Sequence, residues 1–468
     1  MNIALISSEA VPFAKTGGLA DVCGDLPLSF EHIGDKVSIF LPRYKSIDAQ
    51  KFGLKKFNVD ISTAKIGKNI DVYFVENEKY FGRDGLYGDG KADYPDNLER
   101  FQFFSRKTLA LLKTLNIRAD IVHCHDWQTA LIPVYLKHVL NKDSFYQKMK
   151  TVLTVHNLAY QGVFPKEQFP LLKLEQKFFG REGFEFYGKV NLLKGGIIFS
   201  DCVTTVSPQY AKEILTQEFG CGLEGVLRAY KGHVVGILNG LDYSRWDPAA
   251  DKMLALPFSP EHEKEKAANK KYLQQKAKLP GKDNVPLIGF VGRLAHQKGF
   301  DLIAEVMDDL AHLNAQFVFL GVGEEKYEQL LQKLSKKYPD KIAAFVTFDE
   351  TAAHQIYAGS DLLLMPSWFE PCGLSQMIAL RYGTIPIVYK TGGLADTIVH
   401  YDAPNGNGFV FAHYNKKTLE QVVKKAVEVY KDKEKFFHLI KHGSRLRFTW
   451  GHSAKEYQKV FTKCSQSA

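Results

Sequence analysis

Short apolar, β-branched runs alternate with longer helical patterns along the whole chain. In the first half the runs are Asn2–Ser7, Lys36–Phe40, Asp71–Val75, Ile121–His125, Thr151–Val155, Cys202–Val206 and Val234–Leu238. In the second half they are Leu287–Val291, Gln316–Leu320, Ala343–Thr347, Leu362–Met365, Ile385–Tyr389 and Gly408–Phe411. Strands buried on both faces read this way, and helices between them imply parallel sheets. Two such series predict an α/β chain with two doubly wound, Rossmann-like domains. The boundary is expected near Asn239–Ala250, giving domains 1–245 and 246–451. The charged helical pattern Glu261–Leu279 follows it and is stopped by Pro280 and Gly281. The last pattern, His452–Lys463, is an amphipathic helix whose docking partner the pattern does not reveal.

Length supports more than one core: 468 residues exceed what a single domain usually holds. No apolar run approaches the roughly 20 residues of a membrane span. The opening MNIALISSEAVPFAKTGG has no basic n-region and no long apolar h-region, so it reads as a first strand and not as a signal peptide. The chain is expected to begin at Met1. Six cysteines (Cys23, Cys124, Cys202, Cys221, Cys372, Cys464) have no paired spacing, which favours reduced thiols and a cytoplasmic protein. The net charge of +9 suits an anionic small ligand, or is simply a solvated basic surface. No basic patch interleaved with aromatics points to nucleic acid.

The string KTGGLAD occurs twice, at Lys15–Asp21 after the first strand and at Lys390–Asp396 after the strand IPIVY. Gly17 and Gly18, like Gly392 and Gly393, let the backbone turn sharply and approach a ligand. A helix N-terminus then offers free amides and partial positive charge, to which Lys15 adds a formal charge. Phosphate suits such a turn; the alternative is an ordinary loop with a solvated lysine. Neither a dinucleotide G-x-G-x-x-G after a strand nor a P-loop occurs, which argues against a dehydrogenase and a P-loop ATPase.

VGRLAHQKGFD puts Arg293 and Lys298 just past a strand, where a planar fork and a point charge suit a diphosphate. The alternative is two surface cations. PSWFEPCGLSQ puts Glu370 in a turn after LLLM, with Cys372 and Gly373 beside it. Glu370 could hold sugar hydroxyls, or cap the next helix. In HCHDWQTA, His123 and His125 share a strand face, but no zinc-type spacing completes a metal site, and Asp126 is expected to cap the next helix. His156 and Asn157 end another strand, at an edge where ligands bind in this architecture.

Together these stretches resemble the bacterial glycogen synthases and plant starch synthases. The matching segments are KTGGLADVCGDLP, HCHDWQTALIPVYL, TVHNLAYQGVFP, KGGIIFSDCVTTVSPQYAKEI, GCGLEGVL, GILNGLDYSRWDP, FVGRLAHQKGFDLI, PSWFEPCGLSQMIALRYGTIPIV and KTGGLADTI, from residue 3 to about residue 398 in the family's order. The resemblance implies a GT-B-type fold, two facing Rossmann-like domains with the sugar nucleotide in the cleft. The C-terminal helix, about 452–468, would pack back on the first domain. It implies that Lys15, with Gly17 and Gly18, lies in a loop closing over the donor, and that the amides of Thr391, Gly392 and Gly393 hold its phosphates. Arg293 and Lys298 match cations on the leaving diphosphate; Glu370, Cys372 and Gly373 match a sugar-binding turn. His156, Asn157, Trp127 and Asn239 match residues around the transferred glucose, Asp21, Tyr94 and Asn97 match the acceptor side, and Phe348 matches an aromatic ring against the nucleobase.

The implied reaction moves glucose from ADP-glucose to the non-reducing 4-hydroxyl of an α-1,4-glucan such as glycogen, with retention. Two flanking carboxylates would suggest double displacement, but only Glu370 is found. The family is thought to use front-face attack, with positioning and charge stabilisation as the protein's work and no metal or other cofactor. Two rivals remain: a retaining transferase with another donor or acceptor, and a non-catalytic glucan-binding protein. The donor's base and the oligomeric state stay open.

Overall fold

The computed structural model describes residues 1–90, 92–230 and 234–466. Residues 467 and 468, within the expected last segment, lie outside the described residues. The chain divides into two compact units, Met1–Gly240 with Trp450–Ala468, and Leu241–Thr449.

The first unit contains β1 (Asn2–Ile6), β2 (Lys36–Pro42), β3 (Lys55–Asn58), β4 (Ile61–Ile66), β5 (Ile70–Val75), β6 (Ile121–His125), β7 (Lys150–Val155), β8 (Val163–Pro165), β9 (Glu185–Phe186), β10 (Lys189–Asn191), β11 (Cys202–Thr205) and β12 (Val235–Gly236). Nine of these form one sheet in the order β12-β11-β7-β6-β1-β2-β5-β4-β3. It is parallel except where β4 and β3 add antiparallel strands at one edge. β8, β10 and β9 form a separate antiparallel sheet. The central strands are buried along nearly their whole length, as parallel strands covered by helices must be.

The final helix, Trp450–Gln466, packs in this unit. Its buried residues Trp450, Ser453, Ala454, Tyr457, Val460, Phe461 and Cys464 form one apolar stripe. Tyr457 and Phe461 lie 6.2 and 5.6 Å from Phe30 of the helix Gly18–His32. Ser453 Oγ donates to the Leu238 carbonyl at 2.6 Å.

The second unit has one parallel sheet of β13 (Leu287–Val291), β14 (Gln316–Leu320), β15 (Ile342–Phe345), β16 (Leu362–Met365), β17 (Ile385–Tyr389) and β18 (Phe409–Phe411). Its order is β15-β14-β13-β16-β17-β18, so the winding reverses between β13 and β16. The charged helix Glu263–Lys276 is not wholly solvated. Lys266 Nζ is buried and donates to the carbonyls of Ala358 and Tyr382 and to Thr384 Oγ1, while buried Lys270 pairs with Asp361 at 2.7 Å.

Candidate active site

In the second unit the site is built where the winding reverses. The loop after β13 carries Arg293 and Lys298; the loop after neighbouring β16 carries Glu370. Gly299 lets these loops touch. Its φ is +80°, and an added Cβ would stand 2.1 Å from the Pro366 carbonyl oxygen. The Trp368 amide donates to the Gln297 carbonyl at 3.0 Å and draws the loops together. Lys298 Nζ then reaches Glu370 Oε2 at 2.6 Å, and Ser367 Oγ donates to the same oxygen at 3.0 Å. Glu370 is buried and does not cap the following helix, whose N-cap is Leu374. Arg293 Nη2 donates to Gln297 Oε1 at 3.0 Å.

The second KTGGLAD closes this turn from β17. The Gly393 amide donates to the Glu370 carbonyl at 3.0 Å, and an added Cβ on Gly393 would lie 1.9 Å from the Cys372 carbonyl oxygen. Gly392, at φ +40°, lies equally close to the Glu370 carbonyl. These glycines therefore serve a close approach of backbone to backbone. Of the amides expected to face phosphate, Thr391 N–H donates to the Tyr389 carbonyl at 2.9 Å, and Gly393 N–H is engaged as described. Cys372 is buried, and Gly373 has φ +74°. Gln376, which the sequence did not single out, staples the turn by donating to the Cys372 and Gly373 carbonyls, each at 3.0 Å. Phe348 is 87% exposed.

In the first unit the first KTGGLAD is held differently. Glu9, 3% exposed, accepts from the Thr16 amide, from Thr16 Oγ1 at 2.6 Å and from Tyr87 Oη at 2.5 Å. The protein's own carboxylate thus engages the Thr16 amide just upstream of the helix, and Glu9 was not among the predicted residues. Gly17 caps the helix Gly18–His32, and a Cβ on Gly17 or Gly18 would meet nothing within 4 Å, so this backbone is open. Lys15 Nζ pairs with both oxygens of Asp21, at 2.6 and 2.8 Å.

The ends of β6 and β7 meet beside this loop's strand. His125 Nδ1 lies 2.9 Å from His156 Nε2, and Asp126 Oδ1 accepts the His156 amide at 2.7 Å. Asp126 therefore corrects its expected role: its side chain makes no cap to the following turn and bonds across to the residue after β7. Its φ of 56° with ψ of −173° is backbone that side-chain-bearing residues seldom adopt. Burial pushes the Asp126 carboxyl up to about 7, against backbone bonds that lower it. Burial pushes His156 and His123 down to about 3 and His125 well below its ordinary value, so all three rings are neutral near pH 7. His123 Nε2 bonds Thr154 Oγ1 at 2.7 Å. Among the described residues no group of three or more His, Cys, Asp or Glu is arranged to hold a metal ion.

Other predicted residues separate into available and committed. Asn239 is buried with Oδ1 unpartnered among the described residues. Asn157 Oδ1 accepts the Ala159 amide at 3.0 Å. Trp127 is buried, packs edge-on against Phe101 at 5.0 Å, and depends on Gly162, where a Cβ would stand 2.5 Å from its ring. Asn97 is buried, donating to the Tyr87 carbonyl at 2.9 Å and accepting from Arg100 Nη1 at 2.6 Å. Trp127 and Asn97 are thus each held by contacts within the first unit. The Tyr94 ring has the guanidinium groups of Arg83 and Arg100 at 4.8 and 4.9 Å.

Two doubly wound units with a Lys–Glu pair at the second unit's switch point define a GT-B-type glycosyltransferase. Residues 2–229 match the family model of the starch synthase catalytic domain, and residues 272–438 match that of glycosyl transferases group 1. The chain is 46% identical to a glycogen synthase of Geotalea daltonii over 475 residues, covering 98% of each chain. It is 46% identical to a glycogen synthase of Koribacter versatilis over 479 residues, covering 100% of this chain and 99% of the relative. The catalytic domain of starch synthase IV from Arabidopsis thaliana, bound to ADP and acarbose, superposes with a TM-score of 0.91 at 33% identity, over 99% of each chain. Sucrose-phosphate synthase from Thermosynechococcus elongatus shares the fold, with a TM-score of 0.62 at 16% identity over 100% of each chain. The chain belongs to the glycogen and starch synthase family. It uses a nucleotide-sugar donor and a glucan acceptor. Among the described residues no helix is long and apolar enough to cross a membrane.

Proposed function

We propose that this enzyme transfers glucose from ADP-glucose to the non-reducing 4-hydroxyl of an α-1,4-glucan, elongating glycogen with retention of configuration. The observation that carries the residue assignment is the Lys298–Glu370 pair, with Arg293 on the same loop. In this reading Arg293 and Lys298 stabilise charge on the departing diphosphate, and Lys15 is a donor-binding cation. Glu370, with the Cys372–Gly373 turn, holds hydroxyls of the transferred glucose. His156, Asn157 and Asn239 are assigned to glucose contacts, and the unpartnered Oδ1 of Asn239 is a group that such a ligand would satisfy. Asp21 and Tyr94 lie toward the acceptor, Gly17 and Gly18 admit the donor, and exposed Phe348 covers the base.

The C1–phosphate bond breaks while the C1–O4 bond forms on the same face. The acceptor proton passes to a leaving phosphate oxygen, and positioning supplies the remaining advantage. Glu370 Oε2 is engaged by Lys298 and Ser367, which suits a binding and electrostatic role better than nucleophilic attack. Neither a metal nor another cofactor is part of this reading, and the free thiols support a cytoplasmic setting. Proton NMR of the first elongated product tests the stereochemistry: α-linked product is expected, and a β-linked product would overturn the front-face mechanism.

A further inference from the structure

We propose that His125 is a positioning residue that fixes His156 as the tautomer carrying its hydrogen on Nδ1, so that His156 offers the transferred sugar a hydrogen-bond donor. The inference rests on the reading above that His156 contacts that sugar.

The geometry leaves a single hydrogen to place. His125 Nδ1 and His156 Nε2 stand 2.9 Å apart and both residues are buried. Burial holds both rings neutral, so each ring carries one N–H. One arrangement has His125 Nδ1–H donating to His156 Nε2. His125 Nε2 is then a bare lone pair, and His156 carries its hydrogen on Nδ1. The other has His156 Nε2–H donating to His125 Nδ1. His125 Nε2 must then carry a hydrogen.

The surroundings of His125 Nε2 decide between them. That atom is buried and has no hydrogen-bond partner among the described residues. A buried N–H without an acceptor is rarer and costlier than an unused acceptor lone pair. The first arrangement therefore wins. His123, whose ring centre is 4.1 Å from that of His125, follows the same rule. Its Nε2 faces Thr154 Oγ1 and its Nδ1 is the buried unpartnered atom. The backbone of His156 is fixed as well, because Asp126 accepts its amide. Consecutive residues at the end of β6 thus hold ring and main chain together. No described residue bonds His156 Nδ1, so that nitrogen is the one left for a ligand. The chemical class it selects is an oxygen acceptor, such as a sugar hydroxyl oxygen, over a group that must donate.

The test combines spectroscopy with kinetics on the full chain. With 15N-labelled histidine, long-range 1H–15N correlation reads which ring nitrogen of each histidine carries hydrogen; loss of signals in His125→Asn and His156→Ala assigns the two rings. Wild type is expected to show hydrogen on Nδ1 of both. Hydrogen on His156 Nε2 would overturn the proposal without any variant. In turnover, His125→Phe keeps the ring's bulk but removes the bond, and kcat should fall about 10-fold or more, the scale seen when the partner orienting a functional imidazole is lost. His125→Asn places an amide where Nδ1 was and should recover most of that loss. A packing role alone predicts the reverse ranking, and Phe matching or exceeding Asn would overturn the proposal. Full activity of His156→Ala would instead remove the reading on which the inference rests, leaving the wild-type spectrum to judge the tautomer by itself.

Discussion

Lys298 Nζ lies 2.6 Å from Glu370 Oε2, although 72 positions separate them in the chain. They meet because β13 and β16 are neighbours in the sheet, and because Gly299 has no Cβ to collide with Pro366. The pair is neutral as a unit, yet the ammonium keeps donors for a phosphate and the carboxylate keeps its Oε1 for a hydroxyl.

Glu370→Ala removes the carboxylate and leaves Lys298 without its partner. We expect kcat to drop by about 10²-fold or more, with the fold retained, as for loss of a key transition-state contact. Steady-state kinetics beside a circular dichroism melt checks it; near-normal turnover would take Glu370 out of the site.

The duplicated heptapeptide yields two different turns, and one substitution separates them. Gly393→Ala drives a Cβ toward the Cys372 carbonyl, whereas Gly18→Ala meets open space. Thermal unfolding should show the second unit destabilised by ~2 kcal/mol or more for Gly393→Ala, and a change within ~0.5 kcal/mol for Gly18→Ala. Equal effects would contradict this assignment.

Much of this architecture was legible in the sequence. The apolar runs marked the parallel strands of both main sheets because parallel strands are buried on both faces. β3 was missed because all four of its residues are exposed, and β4 because its burial is interrupted by partly and fully exposed positions. The strands β8 to β10 are only two or three residues long, too short for a run to mark them. Lys298 and Glu370 stood out in the sequence because each lies in a loop after a strand with a glycine nearby, and His156 because it directly follows β7. Glu9 was not, because its meaning lies in Thr16 and in Tyr87, 78 positions away. Nor could the string KTGGLAD show that its first helix begins at the second glycine, Gly18, and its other helix at the first, Gly392.

Glu9→Ala should loosen the first of these turns. Thr16 loses its acceptor, so amide exchange at Thr16 should accelerate and the donor KM should rise about tenfold, the cost of roughly one net hydrogen bond to a charged group. Unchanged exchange at Thr16 would show the loop to be held by something else.

The buried histidines give a pH dependence with a definite sign. Each of His123, His125 and His156 is depressed in the folded chain, so the unfolded chain binds more protons below about pH 6.5 and stability falls as pH drops toward about 3. Asp126, raised to about 7, opposes this by one proton between about pH 4 and 7. The cluster should therefore take up about two protons on unfolding at pH 5, worth ~3 kcal/mol per pH unit. Proton uptake measured on denaturant unfolding should be about one lower in His123→Leu. Identical uptake would show that His123 is already charged when folded.

The central claim is transfer of glucose from ADP-glucose onto an α-1,4-glucan. Incorporation of labelled glucose into glycogen, with ADP-glucose and UDP-glucose supplied in parallel and each with and without EDTA, tests it most directly. Strong incorporation from ADP-glucose that EDTA leaves unchanged is the predicted result. Preference for UDP-glucose would contradict the donor assignment, and no incorporation from either would contradict the claim itself.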